Sequence, residues 1–365
     1  MRGSRDGDIR YHDLVGDLTW ALDNCWSQYR YSMDDTMLRE KIYPPLRRSI
    51  NLYLHMVKEG PDGKLHLPPT FSPETGVCED CNFDLALFKW GCLTLLKASK
   101  RLRVDDPLIP RWKEVVERLP AYPPDEYGFR LGRDRSSPTN HQHLSHLLMI
   151  YPLHLVNIDQ SGAIDVLMRS LKRARENAAG GQQAMVEAHL GPIAATLGLG
   201  NEAHDCLEHL QGDLYPNGLW YDPPCIETSF AAANIIQEML LQSWSDPTHG
   251  GPGLIRIFPA LPDAWKDVEF HDLRAEGAFL VSARRSAGQT KWIRIKSLAG
   301  EPCQVRTDMN AVIQIRDGRQ SRMEPVSPGM YQIQLKRNEE VLLCPDNETP
   351  TKDGVPASLQ SPGDR

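Results

Sequence analysis

No stretch of this sequence approaches the roughly 18 consecutive apolar residues of a membrane-crossing helix. No basic run stands out either. The 41 Lys and Arg residues face 48 Asp and Glu, a formal net charge of −7, which argues against nucleic acid or an anionic membrane as partner. The opening "MRGSRDGDIRYHDL" contains no apolar segment that would serve as a secretory signal. If that start is native, a cytoplasmic location is expected; an N-terminal region lying upstream would have carried any signal with it. A second cysteine pair is missing too. Of eight cysteines, Cys78 and Cys81 form one CxxC, with neither another pair nor histidines close behind it as a structural zinc site would want. A proline-rich loop precedes them, where a thioredoxin-type motif would want a strand. Free thiols at the start of a helix, in a reducing compartment, are expected. No short solenoid period is evident.

The length of 365 residues suggests two domains. Residues 1–12 read as a leader and 13–248 as helical. "DLVGDLTWALDNCWSQYRYS" carries Leu14, Leu18, Leu22, Trp26 and Tyr29 at helical spacing. Asp34 and Asp35 can cap the next helix, which Pro44 and Pro45 should kink or split. "SGAIDVLMRSLKRARENA" is amphipathic, whereas "CNFDLALFKWGCLTLLKASKRL" and "SFAAANIIQEMLLQSW" are apolar nearly all round. Alternation of one-sided and thoroughly buried helices suggests two concentric layers, the pattern of an (α/α) toroid, although a simple helical array produces it as well. Roughly eight or nine helices are legible, where a closed six-hairpin ring needs about twelve. After "SDPTHGGPG" the composition changes to short β-type runs punctuated by "AG", "DG" and "PG", a small antiparallel β-sandwich over 254–345. The polar, proline-bearing segment 346–365 reads as a disordered tail.

Three long polar connections could carry chemistry. In "FSPETG", Glu74 is a functional candidate, although Ser72 as N-cap with Pro73 and Glu74 in a first turn would be an ordinary helix start. In "LWYDPPCIETSF", Glu227 precedes an apolar helix whose dipole would favour it as a structural carboxylate. Trp220 and Tyr221 just upstream offer faces suited to a sugar ring, or to ordinary loop packing. Two carboxylates across a cleft are what glycoside hydrolysis needs, one to protonate the leaving oxygen and one to activate water. In "NHQHLSH", His141, His143 and His146 suit three roles: hydrogen-bonded histidines in a pocket wall or cap, a sugar-binding wall, or metal ligands.

"SPET", "HQHLSHLLMIYP", "CIETSFAAANIIQEMLLQS" and "IRIFPALPDAW" occur in the order seen in family 95 glycoside hydrolases, the inverting α-L-fucosidase and α-L-galactoside group, and the chain resembles that family from about residue 13 to 300. The resemblance implies an (α/α) six-hairpin toroid, incomplete on its N-terminal side, followed by a β-domain. It implies Glu74 as general acid, Glu227 as the base acting on water, and His141, His143 and His146 in the sugar subsite, with no metal and no cofactor. Three departures accompany it. Glu227 stands where the family has the aspartate of "IDGNF", Gln142 stands in the usual "HRH", and the family's "NxN" asparagine pair and large N-terminal β-domain would lie upstream of residue 1.

The expectation is an inverting, exo-acting glycosidase that removes a terminal α-linked sugar from an oligosaccharide or glycan. The alternative is a non-catalytic carbohydrate-binding or truncated relative without the asparagine pair. A metal-dependent hydrolase on the three histidines and an inverting phosphorylase on a similar toroid are further readings. Sugar, linkage and oligomeric state are not legible.

Overall fold

The computed structural model describes residues 14–73, 75–137, 143–176, 183–212, 226–248, 253–309, 312–316 and 319–346. They fall into two compact units. One lies within Met1–Tyr29, Asp34–Ile236 and Asp246–Gly250, the other within Arg30–Met33, Gln237–Ser245 and Gly251–Arg365.

The helices are, in chain order, α1 (Asp17–Ser32), α2 (Asp35–Met37), α3 (Tyr43–Met56), α4 (Asn82–Leu102), α5 (Ile109–Arg118), α6 (Ile164–Glu176), α7 (Gln183–Thr196), α8 (Gly200–Gly212) and α9 (Ile226–Leu240). The Asp34 carboxylate caps α2 by accepting from the Thr36 and Met37 amides at 2.9 and 3.1 Å. Asp35 is used differently, in an ion pair with Arg101 at 2.9 Å. Between α2 and α3 the chain makes a π-helical turn, Leu38–Ile42, immediately before Pro44 and Pro45. Neither proline has an N–H to offer the preceding carbonyls, so the turn widens and the Tyr43 amide reaches back to Leu38. This is the split that the proline pair predicts.

Helix α4 is buried almost all round from Asn82 to Leu95, with Phe88 stacked on Tyr53 of α3 at 5.0 Å. By contrast α6 buries one stripe, Leu167, Ser170, Leu171 and Ala174. Helix α9 departs from its expected all-round burial. Ile235 and Met239 are buried, but Ile226 and Phe230 are 54% and 66% exposed, because neighbours cover only one side of its first turns. Its last residue is Leu240; Leu241 and Gln242 already form a strand. Among the described residues no helix is long and apolar enough to cross a membrane.

Three small hairpins interrupt the helices: β1 (Lys58–Glu59) with β2 (Leu65–His66), β3 (Thr70–Ser72) with β4 (Gly76–Cys78), and β5 (Pro124–Asp125) with β6 (Gly128–Phe129). The second corrects the helix-start reading of Ser72, which closes a strand and pairs with Gly76. Cys78 in β4 and Cys81 just before α4 are buried and free. A hydrogen bond with Cys81 and burial push the Cys78 thiol far up, so neither redox nor nucleophilic use is favoured there.

The second unit contains β7 (Leu241–Gln242), β8 (Gly253–Ile257), β9 (Val268–Ala275), β10 (Phe279–Ser286), β11 (Gln289–Ser297), β12 (Cys303–Arg306), β13 (Val312–Arg316), β14 (Arg319–Met323), β15 (Met330–Ile333) and β16 (Glu340–Pro345). They form a six-stranded sheet, β14-β13-β16-β11-β10-β9, and a four-stranded sheet, β15-β12-β8-β7. One core joins the sheets as in a sandwich: Ile255, Val305 and Tyr331 from the smaller meet Val281, Ile293 and Leu343 from the larger. The expectation of a purely antiparallel arrangement needs one correction, since β8 and β12 pair in parallel. Strands β9 and β14, which lack the apolar alternation of the other long runs, are the two edges of the larger sheet. Edge strands carry polar residues that prevent further pairing, so "VEFHDLRA" and "RQSRM" show little apolar alternation.

Candidate functional site

Within the helical unit lies a cavity of about 440 Å³, inside the roughly 300–1,000 Å³ range of small-molecule sites. Five parts of the chain build its wall. Helix α1 contributes Trp20 and Asn24, one turn apart. The end of the β3–β4 hairpin contributes Pro73. The segment 143–152 contributes His143, Ser145 and Tyr151 among others, and α7 presents Ala188, His189, Pro192 and Ile193 on one face. Helix α9 adds Ala231 and Asn234. Trp20 is held by an edge-to-face contact with Phe83 of α4 at 5.5 Å.

The local sequence explains these placements. Helices α7 and α9 approach closely because residue 191 is glycine; a Cβ there would lie 2.3 Å from the Ile235 Cδ1. The two long polar connections that are described do meet. The Asn82 amide donates to the Leu131 carbonyl at 2.9 Å and the Arg133 amide to the Glu79 carbonyl at 2.8 Å. Gly132 permits this, since a Cβ there would stand 2.6 Å from both Cys78 Sγ and the Glu79 carbonyl oxygen. The Ser72 and Ser145 hydroxyls, both buried, bond at 2.8 Å and join the hairpin to the histidine segment.

Of the residues singled out from sequence, Glu74, His141, Trp220 and Tyr221 lie outside the described residues. Glu227 is exposed in the first turn of α9, four residues before Ala231 and seven before Asn234. That spacing puts it on the same face of α9 as Ala231 and Asn234, about 10 Å along the axis from Asn234, but it is not itself part of the lining. His143 lines the cavity and meets the ring of His189 edge-on at 5.9 Å. His146 is buried in the short 3₁₀ turn Ser145–Leu147 and is not part of the lining. The segment is not α-helical there, so His143 and His146 do not share a helix face.

Sequence reasoning missed Asn24, Tyr151, His189 and Asn234. Asn234 donates a hydrogen bond to the Tyr151 hydroxyl, so an amide and a phenol stand together on the wall. His189 Nδ1 lies 2.7 Å from the Met185 carbonyl; burial, with the nearby His143 adding to it, lowers its pKa and keeps the ring neutral. All four sit inside helices or an apolar run, where only their packing partners mark them out. Among the described residues, the group with metal-ligand proximity is His204, Asp205 and Glu208 on α8, away from the cavity lining. Asp84 has a carboxyl that burial pushes up to about 6, against the opposing pull of the Thr70 and Tyr53 hydroxyls, yet it too is absent from the lining.

Comparison with known proteins matches residues 5–240 to the glycosyl hydrolase family 95 catalytic domain and residues 250–343 to the glycoside hydrolase family 95 C-terminal domain. The chain is similar to alpha-L-fucosidase 2 of Arabidopsis thaliana, 27% identical over 294 residues, which are 74% of this chain. It spans about a third of that relative, 34% of its length. In fold it is similar to a solved structure titled a putative kojibiose phosphorylase from human microbiome, with a TM-score of 0.53 at 13% identity, covering 87% of this chain and 46% of the other.

Proposed function

This chain belongs to glycoside hydrolase family 95, and from that premise we propose that it is a glycosidase of the α-L-fucosidase type, acting with inversion on a terminal α-linked sugar of an oligosaccharide or glycan. Glu74 acts as general acid and Glu227 as the base that takes a proton from the attacking water. The helical unit is read as part of an (α/α) toroid; the all-round burial of α4 beside the one-sided burial of α6 supports this. The observation that carries the proposal is the cavity itself. Pro73, the neighbour of Glu74 in the chain, and Ala231 and Asn234 of α9, four and seven residues after Glu227, border the same space. Its wall combines an indole, imidazoles, amides and a phenol, the mixture of flat apolar faces and two-way hydrogen-bonding groups that a sugar requires. His143 belongs to this wall, with His141, Trp220 and Tyr221 as its partners in the subsite; His146, buried and off the lining, is left out of it.

Proton NMR of the reducing sugar released from an aryl α-L-fucoside tests the proposal. Initial appearance of the β-anomer is expected. First release of the α-anomer, or no release with substrate in excess of enzyme, would count against it. The second reading, sugar binding without turnover, draws support from Glu227 itself. Its carboxylate stands one methylene further out than the family's aspartate, and an inverting site has to fit a water between base and anomeric carbon. Binding of L-fucose without hydrolysis of any fucoside would select it.

A further inference from the structure

The α7 wall of the cavity, otherwise apolar, offers two groups that accept hydrogen bonds. His189 Nδ1 sits 2.7 Å from the Met185 carbonyl oxygen. A carbonyl cannot donate, so Nδ1 carries the proton and the neutral ring is left with a bare lone pair on Nε2. Beside it, Pro192 lies inside the helix. Proline has no N–H, so the Ala188 carbonyl one turn earlier is denied its usual helical donor. Ala188, His189 and Pro192 all line the cavity, so this gap in the helical ladder is on its wall.

We propose that His189 is a specificity-determining residue of the cavity: its Nε2 accepts a hydrogen bond from one hydroxyl of the bound sugar, with the Ala188 carbonyl as the adjacent acceptor. This rests on the sugar-site reading of the cavity and adds to it which wall recognises a hydroxyl by its proton. An acceptor-only pair selects ligands that donate, and discriminates against an analogue in which the hydroxyl is replaced by hydrogen. The edge-on packing against His143 at 5.9 Å holds the imidazole in place from the opposite segment.

The test uses the full chain and binding rather than turnover. Affinities of methyl α-L-fucoside and its monodeoxy analogues, one hydroxyl removed at a time, are measured for wild type, His189→Phe and His189→Gln. Wild type is expected to bind one analogue about five- to tenfold more weakly than the parent. His189→Phe should lose that preference while binding the other analogues alike. His189→Gln, with an amide oxygen near the Nε2 position, should regain most of it. Independently, nitrogen-15 shifts of the labelled wild-type histidines should show Nδ1–H with a bare Nε2 that moves when the fucoside is added. Undiminished preference in His189→Phe, or an Nε2–H tautomer in the free protein, would overturn the assignment while leaving the sugar site standing. Absence of any fucoside binding by wild type would overturn both.

Discussion

Ser72 and Ser145 meet hydroxyl to hydroxyl at 2.8 Å, 73 residues apart in sequence, and both are buried. Ser72 ends the strand two residues before Glu74; Ser145 lies two residues after His143 and lines the cavity. One hydrogen bond therefore ties together the two stretches that the family resemblance marks as acid and sugar wall. The Ser145→Ala variant should lose about 1 kcal/mol of stability, the ordinary cost of a buried hydroxyl pair. If the bond positions the acid, kcat should fall while KM holds. Urea titration and steady-state kinetics on an aryl α-L-fucoside check the two parts. Equal kinetics in both proteins would reduce the bond to a structural one.

Replacement of either proposed carboxylate should be severe. Glu74→Gln and Glu227→Gln should each lower kcat by about 10²–10⁴-fold, the range for loss of a general acid or base. Glu227→Asp restores the length usual in the family and should retain activity or exceed wild type. The rates should be indifferent to inorganic phosphate and to chelator. Acceleration by phosphate would move the reaction to phosphorolysis, and inhibition by chelator would revive the metal reading of the histidines.

Asp84 sets a pH dependence of stability. Burial holds its folded pKa at about 6, above the ordinary 3.8, while Tyr53 donates to it at 2.6 Å. Its folded state thus binds a proton that the unfolded chain has already released. Stability is fully present below about pH 4 and falls as pH rises through 6, by about 3 kcal/mol for this group alone. Asp84→Asn keeps an acceptor for Tyr53 without the charge, so above pH 6 it should be more stable than wild type. Denaturation at pH 5 and pH 8 checks this. An Asn variant less stable at both values would contradict it.

The exposed pair Ile226 and Phe230, one turn apart on α9, should promote self-association. Light scattering of a double variant, Ile226→Ser with Phe230→Ser, should show less association than wild type at equal concentration. An unchanged profile would mean the pair is not the contact.

Much of the fold was legible from local pattern. The π-turn follows from Pro44–Pro45, the cap from Asp34, the buried α4 from its apolar perimeter. The central strands of the larger sheet follow from alternation, while its two edges, β9 and β14, do not, because polar and charged residues that blunt an edge also break the apolar alternation. The hairpin around 70–78 is not legible at Ser72, since Ser-Pro-Glu is also an ordinary helix start and only the pairing of Phe71 with Val77 distinguishes the two. Of the candidates legible in the sequence, His143 lines the cavity, and it stood out because a histidine cluster beside an apolar run calls for a reason. Asn24, Tyr151, His189 and Asn234 did not, because each reads as one polar residue among packed helices.

The sequence by itself determined the long helices, the central strands of the larger sheet and the family to which they belong, because these are written in spacing and in short motifs. Only the tertiary structure decided that Trp20, Pro73, His143, His189 and Asn234 border one space. Their meeting depends on close approaches such as Gly191 to Ile235 and on bonds such as Ser72 to Ser145, and no periodicity within a segment encodes a contact between segments.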